Sequence, residues 1–182
     1  MALAHTILAT IGNKSYSGYD LWKKFSQTSS YYWQASQQQI YRELGKLEQE
    51  GAIASEIVPQ VGRPDKKLYQ ITEQGKEKLR DWLIEPAELM VIRDELLVKI
   101  IAAELVPRSV ILQEIERHRQ LHLQQLSAYQ EIEQQKFSDN LEQLPFRQKC
   151  IYTTLRCGIS YESYCIAWCE EAIAFLSEDS SD

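Results

Sequence analysis

A chain of 182 residues, 44% hydrophobic and 25% charged, has room for one large domain or two small ones and the balance of an ordinary soluble globular protein. No apolar run approaches the roughly 20 residues of a membrane span, which leaves no membrane partner, and four cysteines without a basic leader point to reduced thiols in a cytoplasm. The net charge of −6 argues against a polyanionic partner only as a total: residues 1–85 hold 11 Lys and Arg against 10 Asp and Glu, whereas residues 86–182 hold 9 against 16.

Leu3, Ile7, Leu8 and Ile11 recur at helical spacing, and Gly12 ends this first helix. Ser17 caps a second helix, whose apolar face is Leu21, Trp22 and Phe25. The stretch 27–35 is a long aromatic loop. Its Tyr31, Tyr32 and Trp33 are read as packing area, the alternative being that one of them borders an effector pocket. Ser36 then caps a third helix, and Gln39 completes a capping box. Ile40, Leu44 and Leu47 form its inward stripe, and Gly51 stops it. The opposite face carries Gln37, Gln38, Tyr41, Arg42 and Lys46. Amides and guanidinium groups pair with base edges, and lysine suits phosphates.

Two β-branched and aromatic runs, 53–58 and 67–71, flank Pro59, Gly62 and Pro64 and predict a hairpin. Arg63, Lys66 and Lys67 face one acid, Asp65, at its tip, the charge pattern of a wing lying along a phosphate backbone. Thr72 caps a fourth helix through Leu79, Trp82 and Leu83. The first three helices together make the core of a helix-turn-helix.

Glu85-Pro86 marks a domain boundary. Beyond it Ile92, Leu96, Ile100 and Ala103 predict an apolar stripe that ends near Val106. Pro107 opens a helix to about Lys136, with Ile111, Ile115, His118, His122, Leu126 and Tyr129 on one face. Pro145 opens the last long helix, with Ile151, Leu155, Ile159, Ile166 and Ile173 inward. Helices of this length outreach a small core and are expected to pack against a partner chain.

Glu114, His118 and His122 have metal-ligand spacing but no fourth ligand, so they are expected to fix helix register rather than hold a metal. Cys150, Cys157, Cys165 and Cys169 share one side of the last helix. They are read as small hydrophobes, with a thiol sensor or metal site as the sharper alternative. No G-x-S-x-G, P-loop or G-x-G-x-x-G string occurs, so no catalytic residue, cofactor or metal is expected.

The segment S-x-x-Q-I-Y-R-E-L-G-K-L-E-Q-E-G-A-I followed by G-R-P-D-K-K-L-Y-Q-I-T-E-Q-G resembles the winged helix of PadR-type transcriptional regulators. S-G-Y-D-L-W-K-K-F at 17–25 is similar to the helix that precedes the recognition helix there. I-R-D-E-L-L-V-K-I at 92–100 and L-R-C-G-I-S-Y-E at 155–162 resemble the family's larger, virulence-activator-like second domain. The resemblance implies a mainly α protein with a small β-hairpin. On that resemblance a winged helix-turn-helix at 1–85 is expected to bind double-stranded DNA, and an all-helical domain at 86–182 to make the homodimer. It implies a regulator, most readily a repressor, on a palindromic operator. The family includes members that respond to phenolic acids or flat hydrophobic drugs, so a small aromatic effector is an expectation.

The expected DNA contacts are Tyr16, Ser17, Ser36, Gln37, Gln38, Tyr41, Arg42, Lys46, Arg63, Lys66 and Lys67. The expected subunit contacts are Leu3, Ile7, Ile115, Leu155, Ile159 and Ile166. A second reading is a helical protein-interaction adaptor built on the same fold. An adaptor should show exposed apolar residues where the third helix carries amides and cations.

Overall fold

The computed structural model describes residues 2–12, 14–25, 33, 35–60, 62, 65–89, 91–137 and 140–178. The chain divides into two compact units, Met1–Leu89 and Met90–Asp182, with the division slightly beyond Glu85.

The first unit runs α1 (Ala2–Ile11), β1 (Tyr16–Ser17), α2 (Gly18–Lys24), α3 (Gln37–Gln49), β2 (Ile53–Val58), β3 (Lys66–Ile71) and α4 (Glu73–Ile84). Ile7, Leu8 and Ile11 of α1, Leu21 of α2, and Ile40, Leu44 and Leu47 of α3 are all but fully buried together with Phe25, Ala52 and Ile53. These are the stripes that the helical spacing sets inward. Helix α3 begins with both halves of a capping box: Gln39 N donates to Ser36 Oγ at 3.2 Å, and Ser36 N donates to Gln39 Oε1 at 2.8 Å. It ends at Gly51, whose φ of 71° lies in the left-handed region open to glycine.

The hairpin pairs β2 with β3 antiparallel, Ile53 opposite Ile71 and Val58 opposite Lys66. The second strand thus starts at Lys66, one residue before the hydrophobic pattern suggests. β1 joins the far edge of β3, with Tyr16 opposite Tyr69 and Ser17 opposite Leu68. A two-residue strand carries no alternation to read, so this edge is a finding of the structure. Its effect is to tie the start of α2 to the wing. Trp33 packs partly buried against the core, while Tyr31, Tyr32 and Arg63 lie outside the described residues.

The second unit comprises α5 (Glu95–Ile101), α6 (Arg108–Phe137) and α7 (Phe146–Ser177), with short 3-10 turns at Ala103–Leu105 and Leu141–Gln143. Helices α6 and α7 form an antiparallel hairpin: Glu133 meets Tyr152 at one end and Arg119 meets Glu170 toward the other. Leu96, Ile111, Ile115 and Cys169 are its buried cluster. Helix α5 is shorter than its stripe predicts. Asp94 Oδ1 accepts from Leu96 N at 2.8 Å and caps the helix there, leaving Ile92 outside it and exposed.

Of the expected subunit contacts, four point inward in the structure. Ile7 and Ile115 are fully buried within their own units, and Ile159 and Ile166 are nearly so. Leu3 and Leu155 of that set keep partial exposure. Among the described residues no helix is long and apolar enough to cross a membrane.

Candidate nucleic-acid interface

Burying Ile40, Leu44 and Leu47 turns the other side of α3 outward by geometry alone. Gln37, Gln38, Tyr41, Arg42 and Lys46 are all exposed there, and Ser36 stands exposed at the start. Gln38, Arg42 and Lys46 follow one another at i, i+4, i+8 and make a single row. Lys46 Nζ lies 3.6 Å from Glu43 Oε2, whereas Arg42 has no carboxylate partner among the described residues. The only aromatic group on the face is Tyr41, which presents a hydroxyl. Its position is set from α2. A Cβ added to Gly18 would lie 2.6 Å from Tyr41 Cε1, so the ring rests on a backbone that has no room for a side chain.

The N-terminal side of α2 completes the surface. Ser17 caps that helix: its Oγ accepts from Asp20 N at 3.1 Å and donates to Asp20 Oδ2 at 2.8 Å. Ser17 is only 7% exposed, and its hydroxyl is engaged within the chain both as acceptor and as donor. Tyr16 remains half-buried at the edge. Lys24 Nζ donates to its hydroxyl at 2.8 Å and sits 4.8 Å above its ring.

The wing lysines are engaged within the chain. Lys66 Nζ lies 2.8 Å from Asp20 Oδ2, and Lys67 Nζ lies 2.8 Å from Glu48 Oε2. Ser55 Oγ donates a short hydrogen bond to the other oxygen of Glu48. Lys66 holds the Asp20 carboxyl below the usual carboxylate range, with help from Ser17. Lys67 and then Ser55 do the same for Glu48, and Glu48 in turn raises Lys67. Both acids escape a sequence reading because their partners lie far along the chain.

Arg117 and Lys99 engage Glu114 and bring its carboxyl down to about 2, His118 Nε2 lies 3.7 Å from the same carboxylate, and His122 Nδ1 lies 2.6 Å from Glu162. Among the described residues no three His, Cys, Asp or Glu side chains are placed to hold a metal ion. The cysteines grade from exposed Cys150 and Cys157, through Cys165, to buried Cys169. Only Cys169 serves as a core hydrophobe.

Residues 7–81 match the model of the transcriptional regulator PadR-like family, and residues 92–177 match the virulence activator alpha C-terminal domain. A probable transcriptional regulator of Mycobacterium tuberculosis is 32% identical, covering 98% of this chain and 99% of its own. This chain belongs to the PadR family of transcriptional regulators. The negative transcriptional regulator PadR of Bacillus subtilis is 28% identical, over 97% of this chain and 98% of its own. The crystal structure of that PadR with operator DNA superposes with a TM-score of 0.82 at 26% identity, covering 97% of this chain and all of the other. Its structure with p-coumaric acid gives a TM-score of 0.76 at 26% identity, over 98% and 100% of the two chains. The winged helix, DNA binding and regulatory role therefore apply here as PadR-family properties.

Proposed function

We propose that the protein is a homodimeric repressor of a palindromic operator, released by a small aromatic effector. Helix α3 enters the major groove, where Gln37, Gln38, Tyr41 and Arg42 meet base edges and Lys46 a phosphate. Lys66, Lys67 and Arg63 lie along the backbone beside it, and Ser36 and Tyr16 face phosphates from the starts of α3 and α2. The observation that carries this reading is the composition of the exposed face of α3, all amide, phenol and cation. An adaptor would need an apolar patch there. The relative's operator complex supports the docking, its description as a negative regulator supports repression, and its complex with p-coumaric acid supports an aromatic effector.

The pairing rests on the second unit. Its buried cluster is small, yet Val98, Ile101, Leu105, Phe146, Ile151 and Phe175 are all exposed. Apolar area on that scale favours a second copy. A mobility-shift assay on the duplex upstream of the protein's own coding region tests the whole reading. Retarded DNA, released as p-coumaric acid is titrated in, is the expected result. No retardation at micromolar protein defeats the DNA contact, and retention at millimolar acid defeats this effector class.

A further inference from the structure

Both described wing lysines already have a carboxylate within reach, and the carboxylates come from the two helices of the helix-turn-helix. Asp20 of α2 holds Lys66, and Glu48 of α3 holds Lys67, each at 2.8 Å. Each acid is fixed in turn by a hydroxyl, Ser17 for Asp20 and Ser55 for Glu48. Built this way, the pairs do not arise from one flexible side chain wandering toward another. All four charged groups are roughly one-third to one-half exposed, a setting in which an ion pair adds little to stability. Their effect falls instead on a polyanion.

We propose that Asp20 and Glu48 are specificity-determining residues, which restrain the wing lysines and so suppress attachment to duplex DNA of arbitrary sequence. The proposal rests on the DNA-binding reading above. Binding without sequence preference is almost wholly electrostatic, and each lysine that neutralises a phosphate contributes about 0.9 to the slope of log affinity against log salt. A lysine paired with a carboxylate brings little net charge to a loosely held duplex. To gain a phosphate it must leave an acid that is then unpaired and close to the DNA. On the operator the balance differs. There the base contacts of α3 fix the wing beside the backbone, so exchange of carboxylate for phosphate becomes an intramolecular step at high effective concentration. The acids thus weaken arbitrary binding more than they weaken operator binding.

The test uses the full-length protein with Asp20→Asn, Glu48→Gln and the double substitution, on a random-sequence duplex and on the duplex upstream of its own coding region, across a salt series. Affinity for the random duplex should rise in each variant. Its slope should steepen by about one unit per freed lysine, which is roughly fourfold more affinity lost for about a fourfold rise in salt. Operator affinity should rise less, so that discrimination falls. Glu77→Gln, the same change of charge on α4, should leave the slope unaltered. Adding Lys66→Gln to Asp20→Asn should remove the gained unit. Unfolding midpoints near wild type keep the comparison clean, and Glu48→Gln carries the test alone should Asp20→Asn disturb the α2 cap. Slopes equal to wild type overturn the inference, as does weaker binding to the random duplex, which would make the acids mere positioners of the lysines. An equal gain from Glu77→Gln overturns it as well. A wild-type protein that binds neither duplex defeats the DNA-binding reading too; one that binds with ordinary salt dependence, unchanged in the variants, defeats this inference alone.

Discussion

On the exposed row of α3, Arg42 stands one turn from Gln38 and one from Lys46, with no carboxylate partner to hold it among the described residues. A guanidinium in that position is available for the bidentate contact that guanine offers in the major groove. Arg42→Ala should therefore weaken operator binding by roughly 1–3 kcal/mol and relax base preference at one position, with the far-ultraviolet dichroism unchanged. Equal affinity in the two proteins, measured by fluorescence anisotropy, would remove Arg42 from the interface. This face was legible in the sequence, because three apolar residues at helical spacing fix which residues point away. The neighbours that tune it were not. Asp20 reaches Lys66 and Glu48 reaches Lys67 only through the antiparallel return of β3. Gly18 under Tyr41 was equally hidden, since a missing side chain leaves no pattern.

At the scale of elements, the strongest local signals were the caps. Ser17, Ser36 and Thr72 each accept the backbone N–H of the third residue of their helices. At Ser36 the hydroxyl both starts α3 and sets where the row proposed to face DNA begins. Ser36→Ala should lower the unfolding free energy by about 1 kcal/mol, read from the urea midpoint at constant slope. It should also fray the first turn, so operator affinity should fall while the salt slope stays. An unaltered midpoint would show that packing of Ile40, Leu44 and Leu47 defines the start without the cap. The elements that pattern reading placed badly have ordinary physical causes. α5 begins at Asp94 because a cap outweighs an apolar residue at Ile92 that has nothing to pack against. β1 is too short for any periodicity and exists only because β3 offers it an edge.

For the whole molecule, one winged helix covers one half-site, and tight binding at physiological salt needs a second. The proposed pairing lies in the second unit, whose exposed Ile151 and half-buried Leu155 share a turn near the start of α7. A charge at Ile159 would be a poor probe, because at 6% exposure it would damage the protomer itself. Ile151 is open, so Ile151→Glu should leave the monomer folded. In an interface of roughly 2,000 Å² or more with an apolar centre, the same change costs several kcal/mol and should abolish dimer and operator binding together. The decisive measurement is sedimentation equilibrium of the wild-type protein, alone at micromolar concentration and with the duplex upstream of its own coding region. A dimer when free and two chains on each duplex are the expected result. A protein that is monomeric when free, and binds that duplex tightly as a single chain, would contradict it.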